Sequence, residues 1–368
     1  SGHLATFTDP LVECKKCNER FRADQIPGMV SDYQLDSFWK CIKGGKHDLT
    51  EAKQFNLMLK TFIGPAEEEA NVAYFRPETA QAIFVDFKSI LGTTRKKLPF
   101  GIAQIGKAFR NEITPGNFVF RTREFEQMEI EYFIPESQWE KSFEAWRADM
   151  ISWMEEDLGL DMQNIHELEV PEEERAHYSK RTIDFEYKFP FGTKELYGLA
   201  YRGDFDLSSH QKASGESLEY LDEESGEKFL PHVIEPSLGV DRSFLALLCE
   251  HYKEQGEADK KRVWLALPPK LAPYKAAVFP LLKNKPELVA KAKAIYDDLR
   301  KDYLIAWDDR GNVGKRYYSQ DEIGTPYCIT VDFDTLENDT VTIRDRDTAE
   351  QVRLPVTEIK KYIQDKLN

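Results

Sequence analysis

The sequence predicts a protein of mixed α and β structure, with a larger first part and a smaller α/β domain at the C-terminal end. Strand-like and helical segments are intermingled up to about residue 260. Beyond that point apolar strand-like segments alternate with helical ones, as is typical of a compact α/β domain of about one hundred residues. The length of 368 residues also exceeds the roughly 250–300 that one hydrophobic core accommodates, so two or three domains are expected.

Composition excludes some classes of protein. Hydrophobic residues make up 41% of the chain, which suits a protein with a substantial buried core. No apolar run approaches the roughly 20 residues of a membrane-spanning helix, so we expect neither a membrane partner nor a secretory leader. Five cysteines, an odd number, do not indicate a disulfide framework, and we expect a reducing, cytoplasmic location.

The formal net charge of −15 is unevenly distributed along the chain. Residues 263–368 carry 17 basic and 17 acidic side chains, so the whole excess of acids lies in residues 1–262. Because a phosphate backbone is bound by a local basic surface, the net charge neither supports nor excludes a nucleic-acid partner.

Two segments outside the motifs have clear local patterns. Residues 250–262 are polar and charged, and they predict a linker or a frayed helix end. Residues 138–158 carry large apolar side chains at helical spacing, which we interpret as core packing. These side chains are Trp139, Phe143, Trp146, Met150, Trp153 and Met154. In the last third, the strand-like segments VWLALP, YCITVDF and TVTIRD alternate with helical stretches at residues 286–301 and 355–366.

The most informative segment is FRNEITPGNFVFRTREFEQMEIE, residues 109–131. It predicts two strands joined at the turn Pro115-Gly116-Asn117. Alternate side chains of a strand share a face, so one surface of this hairpin collects basic, acidic and aromatic groups. We assign to that surface Arg110, Glu112, Arg121, Phe125 and Glu129, and to the opposite, core-facing side Met128, Ile130 and Tyr132.

Such a surface suits a nucleotide. A guanidinium group matches phosphate oxygens, a carboxylate accepts a hydrogen bond from an exocyclic amine, and a ring stacks on a purine. A solvated hairpin held by salt bridges is the alternative, and residue spacing alone does not decide between them.

Two motifs resemble those of class II aminoacyl-tRNA synthetases. FRNE followed by Arg121-x-x-x-Phe125-x-x-x-Glu129 resembles motif 2. The segment IEPSLGVDRSFLALL, residues 234–248, resembles motif 3, with its core at Gly239 and Arg242. It predicts a strand, a glycine turn and a helix with Phe244, Leu245 and Leu248 buried. Arg242 then lies in the first helical turn, where the helix dipole adds to its positive charge.

Flanking segments are similar to those of bacterial-type glycyl-tRNA synthetases: RPETAQ, RKKLPFGIAQIGKAFRNEITPGNF, HYSKRTIDFEYKFPFG, RGDFDL, IEPS and VGKRYYSQDEIGTPYCITVD. The resemblance implies an α+β fold, an antiparallel sheet flanked by helices followed by a C-terminal α/β anticodon-binding domain. The absence of a Walker loop and of a Gly-x-Gly-x-x-Gly turn agrees with that fold. We expect an N-terminal part of the catalytic domain at residues 1–60, the rest of that domain at 61–260 and the anticodon-binding domain at 261–368.

The resemblance also implies that glycine is activated with ATP and transferred to tRNA-Gly. Catalysis falls to Arg110 on the α-phosphate and Arg242 on the γ-phosphate. Phe125 stacks on adenine, Glu112 accepts from its amine, and Arg121 completes the ATP site. Glu195 matches a family acid near ATP and Mg²⁺, with a structural salt bridge as the alternative.

For glycine, the resemblance implies binding by Glu78, Arg76, Glu235 and Ser237. A carboxylate next to a proline is also typical of a helix or turn cap, which is the alternative for Glu78. For tRNA, the candidates in the last domain are Arg310, Lys315, Arg316, Arg344 and Arg346, each of which is otherwise an ordinary solvated side chain.

Cys14 and Cys17 form a C-x-x-C knuckle, and relatives in this family often carry a second one that completes a zinc site. Here the second knuckle has Cys41 but glycine at its last position, Gly44. His47 offers a fourth ligand and a Cys₃His tetrahedron, whereas a degenerate site without metal is the alternative.

Class II enzymes also carry a motif 1 that builds much of their dimer interface, and residues 1–60 contain no counterpart. We therefore expect a homodimer only for a full-length protein. Two rival functions remain: a synthetase for proline, threonine or histidine, and a synthetase-like protein that binds nucleic acid without catalysis.

Overall fold

The structure is a computed structural model that describes residues 2–23, 41–257 and 261–367. The chain divides into two compact units. The first comprises Ser1–Ile151 with Gln163–Leu245, and the second comprises Ser152–Met162 with Ala246–Asn368. Each unit contains its own main sheet and its own hydrophobic core.

The helices, in chain order, are α1 (His3–Thr6), α2 (Ala80–Thr94), α3 (Trp139–Ser152), α4 (Phe205–Ser214), α5 (Val240–His251), α6 (Pro286–Leu299), α7 (Val313–Glu322), α8 (Phe333–Asn338) and α9 (Ile359–Leu367). The strands are β1 (Thr8–Glu13), β2 (Arg20–Arg22), β3 (Lys53–Asn56), β4 (Lys60–Phe62), β5 (Val72–Tyr74), β6 (Phe100–Phe109), β7 (Glu124–Ile134), β8 (Ile165–Glu169), β9 (Arg181–Phe189), β10 (Gly192–Gly203), β11 (Tyr220–Leu221), β12 (Lys228–Phe229), β13 (His232–Gly239), β14 (Tyr252–Gln255), β15 (Arg262–Leu265), β16 (Ala276–Pro280), β17 (Ile305–Trp307), β18 (Tyr327–Val331), β19 (Thr340–Asp345) and β20 (Gln351–Pro355). In the described part of the chain, no helix combines the length and the apolar character needed to cross a membrane.

An antiparallel six-stranded sheet organises the first unit, in the order β6-β7-β13-β10-β9-β8. Helix α2 buries Ile83, Phe84 and Phe87, whose spacing of one, three and four residues places them on one face. That face packs with Phe100 and Phe133 of β6 and β7 into one apolar cluster. The cluster anchors β7, the strand that supplies much of the candidate site.

The second unit has a mixed five-stranded sheet in the order β17-β16-β18-β19-β20. The pairs of β16 with β17 and with β18 are parallel, and the pairs from β18 to β20 are antiparallel. Helix α6 buries Leu288, Ala292, Ile295 and Leu299 at helical spacing in the core of this unit. The predicted α+β fold with a C-terminal α/β domain is confirmed.

The predicted hairpin is wrong in its geometry. Strand β6 ends at Phe109 and β7 begins at Glu124, so residues 110–123 form a long connection. Arg110, Glu112 and Arg121 lie on that connection and not on strands. An isolated bridge between Gly116 and Arg121 closes the turn inside it.

The predicted core-facing side of β7 is also wrong. Met128, Ile130 and Tyr132 are only half-buried, whereas Glu129, Glu131 and Phe133 on the other face are buried. The reason is tertiary: α2 covers the face that includes Phe133, and polar partners compensate for burial of some of its acids. Alternation identifies two faces but does not tell which face is covered.

Two other local expectations need correction, and one is confirmed. Phe244 is 49% exposed and Leu248 is only partly buried, although Leu245 is buried as predicted. The predicted linker is partly a two-stranded ribbon of β14 and β15. The apolar stripe at residues 138–158 contributes Phe143, Met150 and Met154 to the core, as predicted.

Candidate active site

A cavity of about 780 Å³ lies in the first unit, between the connection after β6, the strands β7, β10 and β13, and the first turn of α5. Most of the residues predicted to bind ATP or glycine line it: Glu78, Arg110, Glu112, Arg121, Phe125, Glu195, Glu235, Ser237 and Arg242. The three side chains assigned to the nucleotide, those of residues 110, 125 and 242, therefore face one common space.

Arg110 is fixed in the wall of the cavity by two backbone carbonyls. Its backbone N–H donates to the carbonyl of Arg123 (3.0 Å), and its Nε donates to the carbonyl of Pro77 (3.1 Å). The guanidinium carbon lies 5.2 Å from the ring centroid of Phe125 on β7. Glu112 is close by, with Oε2 3.8 Å from Nε of Arg121. A guanidinium, an aromatic face and a carboxylate thus meet as a nucleotide site requires.

Arg242 also lines the cavity and lies in the first turn of α5. Its Nη1 donates to the backbone carbonyl of Glu195 (2.9 Å) and lies 3.3 Å from the carboxylate Oε2 of the same residue. The guanidinium also covers the ring of Phe120, 4.5 Å from the centroid. The positive charge of Arg242 lowers the pKa of Glu195 against the opposing effect of burial, although half of the Glu195 side chain remains open to the cavity.

Acidic side chains line the deepest part of the cavity. Glu129 accepts hydrogen bonds from the backbone N–H of Thr79 (2.8 Å), from the Thr79 hydroxyl and from Ser237 Oγ (3.2 Å). Glu78 lies 3.2 Å from Nε2 of His3. Burial raises the pKa of Glu78, but the hydrogen bond with His3 and the charge of Arg202 outweigh it and lower that pKa to about 2. Burial and the charge of Glu78 raise the pKa of Glu129.

Arg202 is the functional candidate that the sequence analysis missed. It is 1% exposed, and its Nε and Nη2 donate to the two oxygens of Asp206 (2.7 and 3.0 Å), while Nη1 donates to Glu235 (2.7 Å). The ring of Tyr178 covers the guanidinium at 3.7 Å. Burial raises the pKa of Glu235 to about 7, with Arg202 opposing and the charges of neighbouring acids adding to the shift. Asp206 follows Arg202 by four residues, but Arg202 lies in β10 and Asp206 in α4, so helical spacing gives no signal for the pair.

Glu131 is a further buried acid under this pocket. It is fully buried, and within the described residues neither carboxylate oxygen has a hydrogen-bond partner. Burial and the charge of Glu235 raise its pKa well above the ordinary value. Burial without a hydrogen-bond partner disfavours the ionised form of Glu131.

Arg76 does not line the cavity, unlike the other residues predicted to bind glycine. Its side chain is exposed, and Nε donates to the backbone carbonyl of Lys107 (2.6 Å) on β6. The guanidinium also lies where a Cβ on Gly106 would be, with Nη2 2.6 Å from that position. Arg76 therefore packs against Gly106 of β6 without lining the cavity, and Arg202 is the guanidinium that reaches the acids of the pocket.

Comparison with known proteins agrees with this geometry. Residues 62–252 match the tRNA synthetase class II core domain (G, H, P, S and T), and residues 275–366 match the anticodon binding domain family. The chain is 48% identical to a glycine–tRNA ligase of Caldanaerobacter subterraneus subsp. tengcongensis, across 100% of this chain and 83% of that protein. It is 49% identical to a glycine–tRNA ligase of Clostridium acetobutylicum over the same shares. The chain belongs to the glycine–tRNA ligase family.

The predicted zinc ligands of this glycine–tRNA ligase family member lie together. The potential donor atoms of Cys14, Cys17, Cys41 and His47 are all within 4.8 Å of one another, and Sγ of Cys17 is 3.6 Å from Nδ1 of His47. A bridge between Cys14 and Leu49 joins the two segments. Three thiols and an imidazole are a known donor set for tetrahedral zinc, so the four residues fit that ion.

The basic residues predicted to contact tRNA fall into two groups. Arg316, Arg344 and Arg346 are buried. Arg344 forms a two-pronged ion pair with Asp321 (2.8 and 3.0 Å), and the other two donate to backbone carbonyls of the second unit. A direct contact with RNA would break these bonds, so the structure gives all three a structural role. Arg310, 86% exposed at its side chain, and Lys315 remain accessible.

Proposed function

We propose that the chain activates glycine with ATP to form glycyl-adenylate and transfers the glycyl group to the 3′ end of tRNA-Gly. One observation carries this proposal: a single cavity contains a surface of arginines and a phenyl ring for a nucleotide and, deeper, a carboxylate-rich pocket for a small ammonium. The names of the relatives, glycine–tRNA ligases at 47–49% identity, support the choice of amino acid.

In the nucleotide half of the site, Phe125 stacks on adenine and Glu112 accepts from the adenine amine, with Arg121 beside it. Arg110 neutralises the α-phosphate and Arg242 the γ-phosphate. Two guanidinium groups in the wall of one cavity favour a bent nucleotide whose phosphates turn back towards α5. Because both arginines are held by backbone carbonyls before substrate arrives, little reorganisation accompanies binding.

The first reaction is an in-line displacement. A carboxylate oxygen of glycine attacks the α-phosphorus, the bond from that phosphorus to the bridging oxygen breaks, and pyrophosphate leaves with the electron pair. The nucleophile is already ionised, so no general base is needed, and the protein contributes positioning and charge neutralisation. In the second reaction a terminal ribose hydroxyl of the tRNA attacks the glycyl carbonyl, and AMP leaves.

Glycine has no side chain, so its recognition depends on the ammonium and on crowding around the α-carbon. Glu78 and Glu235 supply carboxylates for the ammonium, and Ser237, which donates to Glu129, adds a polar group to the wall. A loose pocket discriminates one methylene by only about 1–3 kcal/mol, so rigid walls are required. Arg202, bonded to Glu235 and Asp206, provides that rigidity.

We also propose two metal sites, one for Mg²⁺ and one for zinc. Glu195 and Asp184 line the same cavity and offer carboxylate oxygens, the donors that Mg²⁺ prefers, beside the expected phosphates. Bound there, Mg²⁺ would neutralise phosphate charge. Cys14, Cys17, Cys41 and His47 would hold a structural zinc ion that joins residues 14–17 to residues 41–47.

For tRNA we propose contacts by Arg310 and Lys315, the two accessible members of the predicted basic set. A protein that charges tRNA works where translation takes place, so we propose a cytoplasmic location. The resemblance to class II enzymes further supports a homodimer. The matched region spans 83% of the length of the Caldanaerobacter relative.

Glycine-dependent exchange of pyrophosphate into ATP tests the proposal directly. We expect exchange with glycine and none with proline, threonine or histidine. Strong exchange with one of those three and none with glycine would assign the chain to another class II activity. Tight binding of tRNA-Gly together with no exchange for any amino acid would favour a non-catalytic, nucleic-acid-binding role.

A further inference from the structure

Residues 2–8, which we call the N-terminal segment, contribute to the wall of the cavity. They contain α1 and the first residue of β1, and His3, Thr6, Phe7 and Thr8 all line the cavity. The segment is tied to residues 56–57: Asn56 Nδ2 donates to the carbonyl of Leu4 (2.8 Å), and the Leu57 N–H donates to the carbonyl of Phe7 (3.0 Å). These backbone contacts fix where its side chains point.

His3 reaches the amino-acid end of the cavity. It is 8% exposed, and its Nε2 lies 3.2 Å from Oε2 of Glu78, while the other ring nitrogen is buried and has no hydrogen-bond partner among the described residues. The polar function of this side chain is therefore directed at Glu78. The second oxygen of Glu78 is held by Gln81 Nε2 (3.0 Å), so the two partners together fix the plane of the carboxylate.

Phe7 reaches the nucleotide end. Its ring centroid lies 5.3 Å from the guanidinium carbon of Arg110, a distance that matches the 5.2 Å from the same carbon to the ring of Phe125. Arg110 thus contacts two aromatic rings, of which only Phe125 belongs to the motif around it. The edge of Phe7 also packs on the His3 ring, with centroids 5.6 Å apart.

We propose that the N-terminal segment positions both halves of the substrate site, with His3 orienting Glu78 for the glycine ammonium and Phe7 orienting Arg110 for the α-phosphate. This inference rests on the proposed function. It makes His3 and Phe7 positioning residues, because each acts through the residue it contacts. It also predicts that a substitution of His3 changes the KM for glycine, whereas a substitution of Phe7 changes the KM for ATP.

Pyrophosphate exchange, measured at varied concentrations of glycine and of ATP, tests whether the two KM values respond separately. His3→Ala should raise the KM for glycine on the order of tenfold, the effect of losing one hydrogen bond to a charged group, and leave the KM for ATP unchanged. His3→Gln should restore much of the loss, because its amide N–H donates to Glu78. Phe7→Ala should raise the KM for ATP and leave that for glycine unchanged. Leu4→Ala, an exposed side chain in the same segment, is the matched control.

A structural role alone would change both KM values together or lower the thermal midpoint without a substrate preference. That outcome, or a His3→Gln variant no better than His3→Ala, would overturn the inference while leaving the proposed function intact. Absence of glycine-dependent exchange in the unmodified chain would instead refute the proposed function, and this inference with it. A melting curve of each variant shows whether its fold is kept.

Discussion

Replacement of Arg202 by methionine is the sharpest test of how the pocket is built. Methionine keeps the apolar stem of the side chain but removes the guanidinium. Three charge-assisted hydrogen bonds are lost, two to Asp206 and one to Glu235, at a position that is 1% exposed. Glu131, which interacts electrostatically with Arg202, also loses this buried cation.

The size of the stability loss depends on the interactions that Asp206 and Glu235 keep when the guanidinium is removed. Removing one partner of a buried ion pair costs about 3–5 kcal/mol, because the remaining charge stays buried without compensation. Asp206 keeps a hydrogen bond from Gln81 (3.0 Å), and Glu235 takes up a proton readily, since its pKa is already raised to about 7. We therefore expect a loss of about 3–5 kcal/mol in unfolding free energy above pH 7. The loss should shrink at lower pH, because an acid with a raised folded-state pKa destabilises the fold only where it is ionised.

Urea unfolding followed by fluorescence, at pH values on either side of 7, measures this loss. Arg181→Met on neighbouring β9 is the matched control, because Arg181 pairs with Glu144 and Glu169 near the surface and should contribute under about 1 kcal/mol. A loss for Arg202→Met no greater than that of the control, or one that grows as pH falls, would refute the electrostatic account of the pocket.

Three further results are expected. Arg242→Ala should lower kcat/KM for exchange by about 100-fold or more with an unchanged melting curve, as expected for lost phosphate stabilisation; unchanged exchange would contradict the motif 3 assignment. The KM for glycine should fall as pH rises through about 7, because Glu235 then ionises and can bind the ammonium, and a flat profile from exchange assays would contradict that role. Mass spectrometry of the native protein should find one zinc ion per chain, absent from Cys41→Ser and retained in Cys249→Ser, whose thiol lies outside the cluster.

The sequence predicted the fold and most of the cavity wall because motifs 2 and 3 place Arg110, Phe125 and Arg242 at recognisable spacings. The prediction that strand alternation brings these side chains together was nevertheless wrong. Arg110 is held by the carbonyls of Arg123 and Pro77, and these long-range bonds, not strand alternation, bring it to Phe125. Spacing identifies candidate residues, while tertiary contacts decide how they meet.

Arg202 and His3 could not be found by local pattern alone. Arg202 pairs with Glu235, 33 residues away, and His3 pairs with Glu78, 75 residues away, so neither partnership has a local signature. The same limit explains the basic residues of the second unit. Arg344 is directed inwards by Asp321, which a sequence does not reveal, and the exposure of Arg310 is equally a property of the folded unit.

The excess of acids over bases at the base of the cavity couples substrate uptake to proton movement. Burial and mutual repulsion raise the pKa values of these carboxyl groups, and an arriving ammonium favours their ionised forms. Glycine should therefore expel protons into solution as it binds. Titration calorimetry in buffers of different ionisation enthalpy would record this as a heat that varies with the buffer. A neutral ligand of the same shape would release no protons, and the repulsion between the carboxylates would remain when it binds.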